Sequence, residues 1–479
     1  MEIDEREYNS VVLAALLHDV GKMIHRRKPG YEGSHSISAA TFMADNRNKI
    51  SNPALYNLDS VIFLVRNHDR DKEDNLLESP WLAGKSDEER KHLIRLLKMI
   101  EDADSYSCSE RQEVEVDRRG KNRRIAPLDS IFSYINLDAS RIDGGDILQH
   151  DYIPFSALKS FPKEIVSIRD ESIANHVEAF LAELPCFDKC ETFQNVLTLW
   201  LNLLGKYTWS VPSDTRYRTS DVSLYDHLRA SAAIAACLYK RHIDDINSEK
   251  TRLDRQEEML LLGGDFSGIQ DYIFHVTSGV GSGAAKRLRA RSLFVTVFSE
   301  AVMHKILHRL DLPLVCSIFS AGGKFLVIAP NNQETADALK KLKIEVEDHI
   351  HKSYFSQFSF LMDWFEIGTY KEEFRVTNFV KIADKMFHKL AGLKHKKSYE
   401  VLLSEEGSAW NHHAFMAHDL YEAYTGSRDC RYCGRGPAVV EDSESGEKNC
   451  CRRCYIESVH KLPVFRFADA NPDRVSFTF

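Results

Sequence analysis

A histidine and an aspartate interrupt an apolar stretch at Leu16-Leu17-His18-Asp19-Val20-Gly21-Lys22, in a segment that has run largely apolar since Tyr8. A segment of that kind is a buried helix, and an imidazole and a carboxylate buried with it are costly unless they are paired or bind a metal. The fold must therefore wrap helices around a shared polar centre. Later segments repeat the pattern. His35 shares a helical face with Ala39 and Phe42, His68 follows Val65, Leu64 and Val61 at helical spacing, and Asp104 lies on the stripe of Leu93, Leu97 and Ile100. Each alone reads as a core residue satisfied locally. Together they read as a divalent metal site, with His18 and Asp19 as its catalytic core and His35, His68 and Asp104 completing the shell. Asp69 and Asp102 are weaker candidates, because each lies off its apolar stripe.

Imidazole suits Mn, Fe, Co, Ni and Zn, and an aspartate can bridge two ions; the expected cofactor is a divalent transition metal, Mn, Ni or Co. A pair of such ions activates water and stabilises both the attacking and the leaving oxygen in phosphodiester hydrolysis. Lys and Arg number 63 against 71 Asp and Glu, a net charge of −8, so the chain does not hold nucleic acid through its overall charge. Contacts would need local patches. Arg118–Arg124 (RRGKNRR) reads as a solvated loop, with a nucleic-acid contact as its alternative, whereas Lys286, Arg287, Arg289 and Arg291 open a helix after the Gly279–Ala285 loop. Those four either contact phosphates of a nucleotide or RNA or form a solvated face. No apolar run approaches the roughly 20 residues of a membrane span, and the acidic first residues lack the pattern of a signal peptide. The expected location is cytoplasmic, with no membrane partner.

A chain of 479 residues has room for about three domains. The expected organisation is a helical metal-site domain at 1–112, a mixed helical linker at 113–255, an α+β unit at 256–400, and a helical segment with a small cysteine knot at 401–479. Within the third region we expect strands at Met259–Gly264, Leu314–Ser320, Phe325–Pro330 and Phe358–Ile367, with helices at Ser267–Phe274, Lys286–Leu310 and Glu334–His351. That β-α-β-β-α-β order is ferredoxin-like, an arrangement found in polymerase and cyclase palms and in many binding modules. The fold class is thus multidomain, α and α+β.

The stretch GGDFSGIQDYIF, Gly263–Phe274, joins strand to helix, with glycines that permit a close turn and backbone N–H groups at Ser267–Ile269 where a phosphate could bind. Asp265, Ser267 and Gly268 are the nucleotide-binding candidates. Asp265 stands where nucleotidyl-transferring palms place their first metal-binding carboxylate. The central hairpin, however, reads Ala321-Gly322-Gly323-Lys324-Phe325, with lysine and phenylalanine in place of the second acidic pair. A charged lysine cannot ligate a metal, so this unit should not run two-metal chemistry alone. Near the C-terminus, Cys430-x2-Cys433 is followed after 17 residues by Cys451-x2-Cys454, the spacing of a four-cysteine structural zinc ribbon. Cys450 is an alternative to Cys451 in that shell.

The combination resembles the large subunit of type III CRISPR effector complexes, especially subtype III-A, and its first domain resembles the HD phosphohydrolases. The resemblance rests on LLHDVGK, SHSISAA, ADADSYSCSER, PLDSIFSYI, DVSLYDH, GGDFSGIQDYIF, the AGGKF hairpin and the ribbon cysteines, in that order along the chain. It implies an HD nuclease that cuts single-stranded DNA when the complex recognises target RNA. CRISPR RNA and other protein subunits are the implied partners, and the palms are implied to bind ATP with Mg. It also implies a second, GGDD-bearing palm that makes cyclic oligoadenylates; the chain reaches Phe479 before such a palm, so cyclase activity is not expected of it alone. Two other function classes compete: an HD phosphohydrolase acting on small nucleotides, and a non-catalytic scaffold subunit.

Overall fold

The computed structural model describes residues 4–27, 34–69, 82–108, 125–135, 147–156, 159–164, 166–216, 220–243, 258–275, 284–354, 356–368, 371–403, 410–411, 426–441, 446 and 448–459. The basic run Arg118–Arg124 lies outside them.

The apolar N-terminal segment forms α1 (Glu5–Leu17), whose first turn is capped by the Asp4 carboxylate accepting from the Glu7 N–H at 3.1 Å. The helix does not run on to His25. It stops at Leu17, turns through His18–Val20, and resumes as α2 (Gly21–His25). Beyond the break the backbones approach closely: a Cβ built on Gly21 would lie 1.9 Å from the His35 carbonyl oxygen. Gly21 thus brings α2 against α3 (His35–Asp45), itself capped by Ser34. After the short α4 (Arg47–Ile50) come α5 (Leu58–Asn67), capped by the Asn57 side chain, and α6 (Asp87–Cys108). At the start of α6, Ser86 and Glu89 form a reciprocal capping box: the Ser86 N–H donates to Glu89 Oε2 at 2.7 Å and the Glu89 N–H donates to Ser86 Oγ at 3.3 Å.

A small platform follows, with β1 (Leu128–Asp129) antiparallel to β2 (Gln149–His150), then α7 (Asp170–Ala182), α8 (Phe193–Thr208) and α9 (Leu224–Arg241). The alanine-rich α9 is buried along almost its whole length, because small side chains let it pack against α1 and α6 on one side and against the next domain on another. It is the spine that joins the two halves.

The α+β unit is a four-stranded antiparallel sheet in the order β4-β5-β3-β6, with β3 at Met259–Ser267, β4 at Ser317–Ala321, β5 at Lys324–Pro330 and β6 at Ser359–Ile367. Between them lie α10 (Ile269–Phe274), α11 (Ala284–Arg309) and α12 (Gln333–Tyr354), completing the ferredoxin-like order, and α13 (Val376–Leu393) packs on β3 and β6. Three expectations are corrected. Leu314–Cys316 is a turn of 3-10 helix after Pro313, so the edge strand starts only at Ser317. Gly263 and Gly264 do not make a turn: they lie inside β3, where a Cβ would meet Met386 at 2.6 Å and the Phe325 ring at 2.1 Å. Ser267 remains in the strand opposite Ser359, and the chain enters the six-residue α10 through Gly268 at φ +85°, so Ser267 does not present a helix-start N–H.

Glu347 on α12 is buried, and burial, with Glu400 nearby, pushes its carboxyl up to about 7 although Lys343 opposes the shift. A carboxyl raised in the folded state costs nothing below its ordinary range near pH 4.5 and destabilises increasingly as the pH rises through 7. Glu347→Gln should therefore nearly match the parent protein at pH 4 and exceed it at pH 8, by at most about 3 kcal/mol. Denaturant titrations at both pH values measure the difference; an equal effect at both would assign it to packing.

Candidate metal centres

The turn after α1, the start of α3, the end of α5, the last turn of α6 and the first turn of α9 converge. Two overlapping groups of ligand-type side chains result, His18, Asp19, Asp104 and His227 in one and Asp19, His35 and His68 in the other, with the ligand atoms of each group within 4.8 Å of one another. Asp19 is common to both. Its Oδ1 faces His35 Nε2 at 2.9 Å and His68 Nε2 at 3.6 Å, while its Oδ2 faces His227 Nε2 at 3.2 Å, His18 Nε2 at 3.5 Å and the Lys22 ammonium. Asp104 Oδ1 closes the first group at 3.2 Å from His227 and 3.4 Å from His18.

All five residues singled out from the sequence are brought together. Asp69 stands half exposed at the rim, 3.5 Å from His35 Nε2, and Asp102 belongs to neither ligand group, with Lys98 4.0 Å distant. The residue that sequence reasoning missed is His227, which lies in the region read as a linker. Its signal was the one that picked out His68: an imidazole on the buried stripe of a helix, here with Ser231 and Ile234.

Each buried imidazole is oriented by a partner on its other nitrogen. Nδ1 of His18 donates to the Ala15 carbonyl and Nδ1 of His68 to the Val65 carbonyl, both at 2.7 Å. Since a carbonyl can only accept, a proton sits on Nδ1, and Nε2 is the nitrogen that faces the centre. For His227, Ser107 Oγ donates to the His227 carbonyl at 3.3 Å, leaving the hydroxyl oxygen to accept from Nδ1 at 2.9 Å. Burial alone would lower the His18 imidazole, but the facing Asp19 and Asp104 carboxylates raise it to about 10. Burial likewise opposes ionisation of both carboxylates, yet Lys22, His18 and His35 around Asp19, and His18 and His227 around Asp104, hold them well below the usual range. Burial pushes His227 the other way, toward its neutral form. The pocket therefore gathers positive charge around its two carboxylates, a proton on His18 standing where a bound cation would replace it, and offers imidazole-nitrogen and anionic-oxygen donors. That donor set fits two divalent transition ions sharing one aspartate.

A second group, Cys430, Cys433, Cys451 and Cys454, gathers four buried sulfurs within 4.8 Å, beside the hairpin of β7 (Val440–Glu441) and β8 (Lys448–Cys450) and at the start of α14 (Arg452–Val459). Cys450 is buried nearby with its thiol directed at the Cys451 carbonyl, 3.3 Å away, and is not one of the four. This four-cysteine cluster is compatible with zinc.

The basic helix start is corrected in part. Arg287 and Arg291, one turn apart on α11, are buried: the Arg287 guanidinium lies 3.7 Å over the Tyr432 ring, and Arg291 donates to the Tyr272 and His275 carbonyls at 3.1 and 2.9 Å and approaches Cys454 Sγ at 3.6 Å. They fasten the cysteine cluster to α11 and are not available to nucleic acid. Arg289 is exposed and Lys286 half-buried. At the nucleotide-binding candidates, Asp265 is buried opposite Lys324 in register, with Lys394 Nζ at 3.5 Å from its Oδ2, beside Ser267 and Gly268. Among the described residues, no helix is long and apolar enough to cross a membrane.

The HD domain family matches residues 1–108, and the family described as Csm1 subunit domain B matches residues 258–406. A CRISPR system single-strand-specific deoxyribonuclease Cas10/Csm1 (subtype III-A) of Thermococcus onnurineus is 28% identical over 84% of this chain and 48% of its own length. The protein of the same description from Methanocaldococcus jannaschii is 26% identical over 93% of this chain and 56% of its own. The chain thus spans about half the length of these relatives. Among solved structures, a Csm1–Csm4 cassette in complex with one ATP superimposes with a TM-score of 0.62 at 25% identity, covering 82% of this chain and 49% of that one. Csm1 of T. onnurineus gives 0.61 at 25%, covering 83% and 50%. An HD domain and a region matching Csm1 subunit domain B thus lie on one chain, joined through a helix that completes the first domain's polar centre, and over most of its length the chain is similar to Cas10/Csm1 proteins of subtype III-A.

Proposed function

We propose that this chain is a large subunit, or the HD and domain B portion of one, in a type III-A CRISPR effector complex, and that its HD centre hydrolyses single-stranded DNA. The observation that carries the reading is the pair of ligand groups sharing Asp19. His18, Asp19, Asp104 and His227 would hold one divalent ion and Asp19, His35 and His68 the other, with Mn, Ni or Co suited to the donors. When bound, such ions supply an activated water and charge neutralisation for phosphodiester cleavage. The protein's own contribution is orientation: the Ala15 and Val65 carbonyls and Ser107 fix the imidazole tautomers, and Lys22 holds Asp19 ionised. Asp69 at the rim is placed to meet an incoming substrate or its water. CRISPR RNA, target RNA and a Csm4-type subunit are the partners this reading supplies, and domain B would bind ATP with Mg around Asp265, Ser267 and Gly268. The Gly322-Gly323-Lys324 turn lacks the acids that oligoadenylate synthesis needs, so that activity is assigned elsewhere in the complex or polypeptide.

Incubation with Mn and a labelled single strand, a duplex, or free nucleotides tests the reading. Preferential cleavage of the single strand, lost in the double variant His18→Ala, Asp19→Ala, is expected. Hydrolysis of free nucleotides with the strand left intact would make the chain a small-nucleotide phosphohydrolase, and persistent inertness in an assembled RNA-containing complex would make it a scaffold.

We further assign structural zinc to the four-cysteine cluster. Cys433→Ser should lower zinc content from about one atom per chain to near zero and loosen the region fastened by Arg287 and Arg291, while leaving the HD centre's metal binding intact. Elemental analysis and limited proteolysis read both effects; zinc-free parent protein that resists protease would contradict the assignment.

A further inference from the structure

The two elements that complete the first ligand group come from distant parts of the chain, Asp104 from the last turn of α6 and His227 from the first turn of α9. Their contact therefore depends on what holds the two helices in register. One tie lies at the site itself, where Ser107, on the same face of α6 as Asp104, bonds both Nδ1 and the carbonyl of His227. The two helices also pack along their length, so a second polar tie adds to an existing register.

The second tie runs through a residue of domain B. Tyr106 projects from α6 away from the centre, and its hydroxyl donates to Glu258 Oε2 at 2.7 Å and approaches the Gly368 carbonyl at 3.2 Å. The other carboxylate oxygen of Glu258 meets Nε2 of His242, the residue that ends α9, at 3.2 Å. Glu258 is 3% exposed, so a carboxylate there is tolerated only because both oxygens are engaged. It stands immediately before β3, the central strand of the sheet.

We infer that Glu258 is a positioning residue for the HD metal centre: acting through Tyr106 and His242, it pins α6 to the far end of α9 and so fixes the approach of Asp104 to His227. On this packed helix pair the second polar tie belongs to domain B. Domain B thereby sets the geometry of a centre to which it supplies no ligand. This inference rests on the metal-centre reading given above.

The test uses the full chain and manganese. Binding is followed by calorimetry and by the electron paramagnetic resonance of the bound ion, with His227→Ala identifying the step that belongs to the first ligand group. Tyr106→Phe removes the hydroxyl and keeps the ring against Phe374, 5.1 Å away. Glu258→Gln removes the charge and keeps the shape. Both variants should weaken that step about tenfold, the usual scale for losing a residue that orients a ligand, and leave the step of His35 and His68 unchanged. General destabilisation would move both steps together, so the split separates positioning from folding. Parent protein that binds two ions, with Tyr106→Phe melting normally and binding both as tightly, overturns the inference alone. Parent protein that binds no ion overturns the centre itself and the inference with it. Should Glu258→Gln not fold, Tyr106→Phe decides.

Discussion

Asp19→Asn is expected to abolish DNA cleavage, by at least about a thousand-fold or roughly 4 kcal/mol in the barrier. Among the described residues no other side chain is shared between both ligand groups, so one substitution disables both. The amide keeps the shape and one acceptor oxygen but removes the charge that faces His18, His35, His68, His227 and Lys22. Removing one member of a buried charge cluster leaves the others uncompensated, at a cost of about 3–5 kcal/mol where ions do not replace it. Asp19→Asn should therefore also melt earlier than the parent and lack the rise in melting temperature expected of the parent with Mn. Calorimetric melting with and without Mn, alongside a cleavage assay, measures all three effects. Parent-like cleavage by the asparagine variant would remove Asp19 from the mechanism.

The second large effect comes from a residue with no chemistry of its own. In Gly21→Ala the added methyl would sit 1.9 Å from the His35 carbonyl oxygen and 2.8 Å from the Ala39 nitrogen, both backbone atoms. Neither can rotate aside, so α2 and α3 must separate. Overpacking of this severity costs about 3 kcal/mol or more, a fall of roughly 6–12 °C in the melting of a unit this size. Because His35 begins α3 and reaches Asp19 at 2.9 Å, the same displacement should weaken the ion held by Asp19, His35 and His68 more than the other. Unchanged melting would show that the helices can part without cost.

What could be read from the sequence divides along the range of the interactions involved. The capping box of Ser86 and Glu89, the β-α-β-β-α-β order and the inward imidazoles are local patterns, since a helix stripe or a cap is written within a few residues. Asp104 could be preferred over Asp102 for the same reason, and the structure places Asp104 in the centre. His227 carries the same stripe signal as His68, but its membership of the centre comes from α9 folding back across α6, a pairing over more than a hundred residues that the stripe does not encode. Gly263 and Gly264 were read as turn residues when Met386 and Phe325, far along the chain, are what exclude a side chain there. Arg287 and Arg291 looked like a charged helix start, yet Tyr432 and the cysteine cluster cover them. In each case the residue type was legible and the distant neighbour was not.

The pieces fit one account, in which an HD centre built on α1–α6 is completed by α9 and steadied by domain B. Diffraction from crystals soaked in manganese, recorded at the Mn absorption edge, addresses it most directly. The account predicts two anomalous peaks on either side of the Asp19 carboxylate, one beside His227 and Asp104, the other beside His35 and His68. A single peak, or two peaks with His227 left outside both shells, would contradict it.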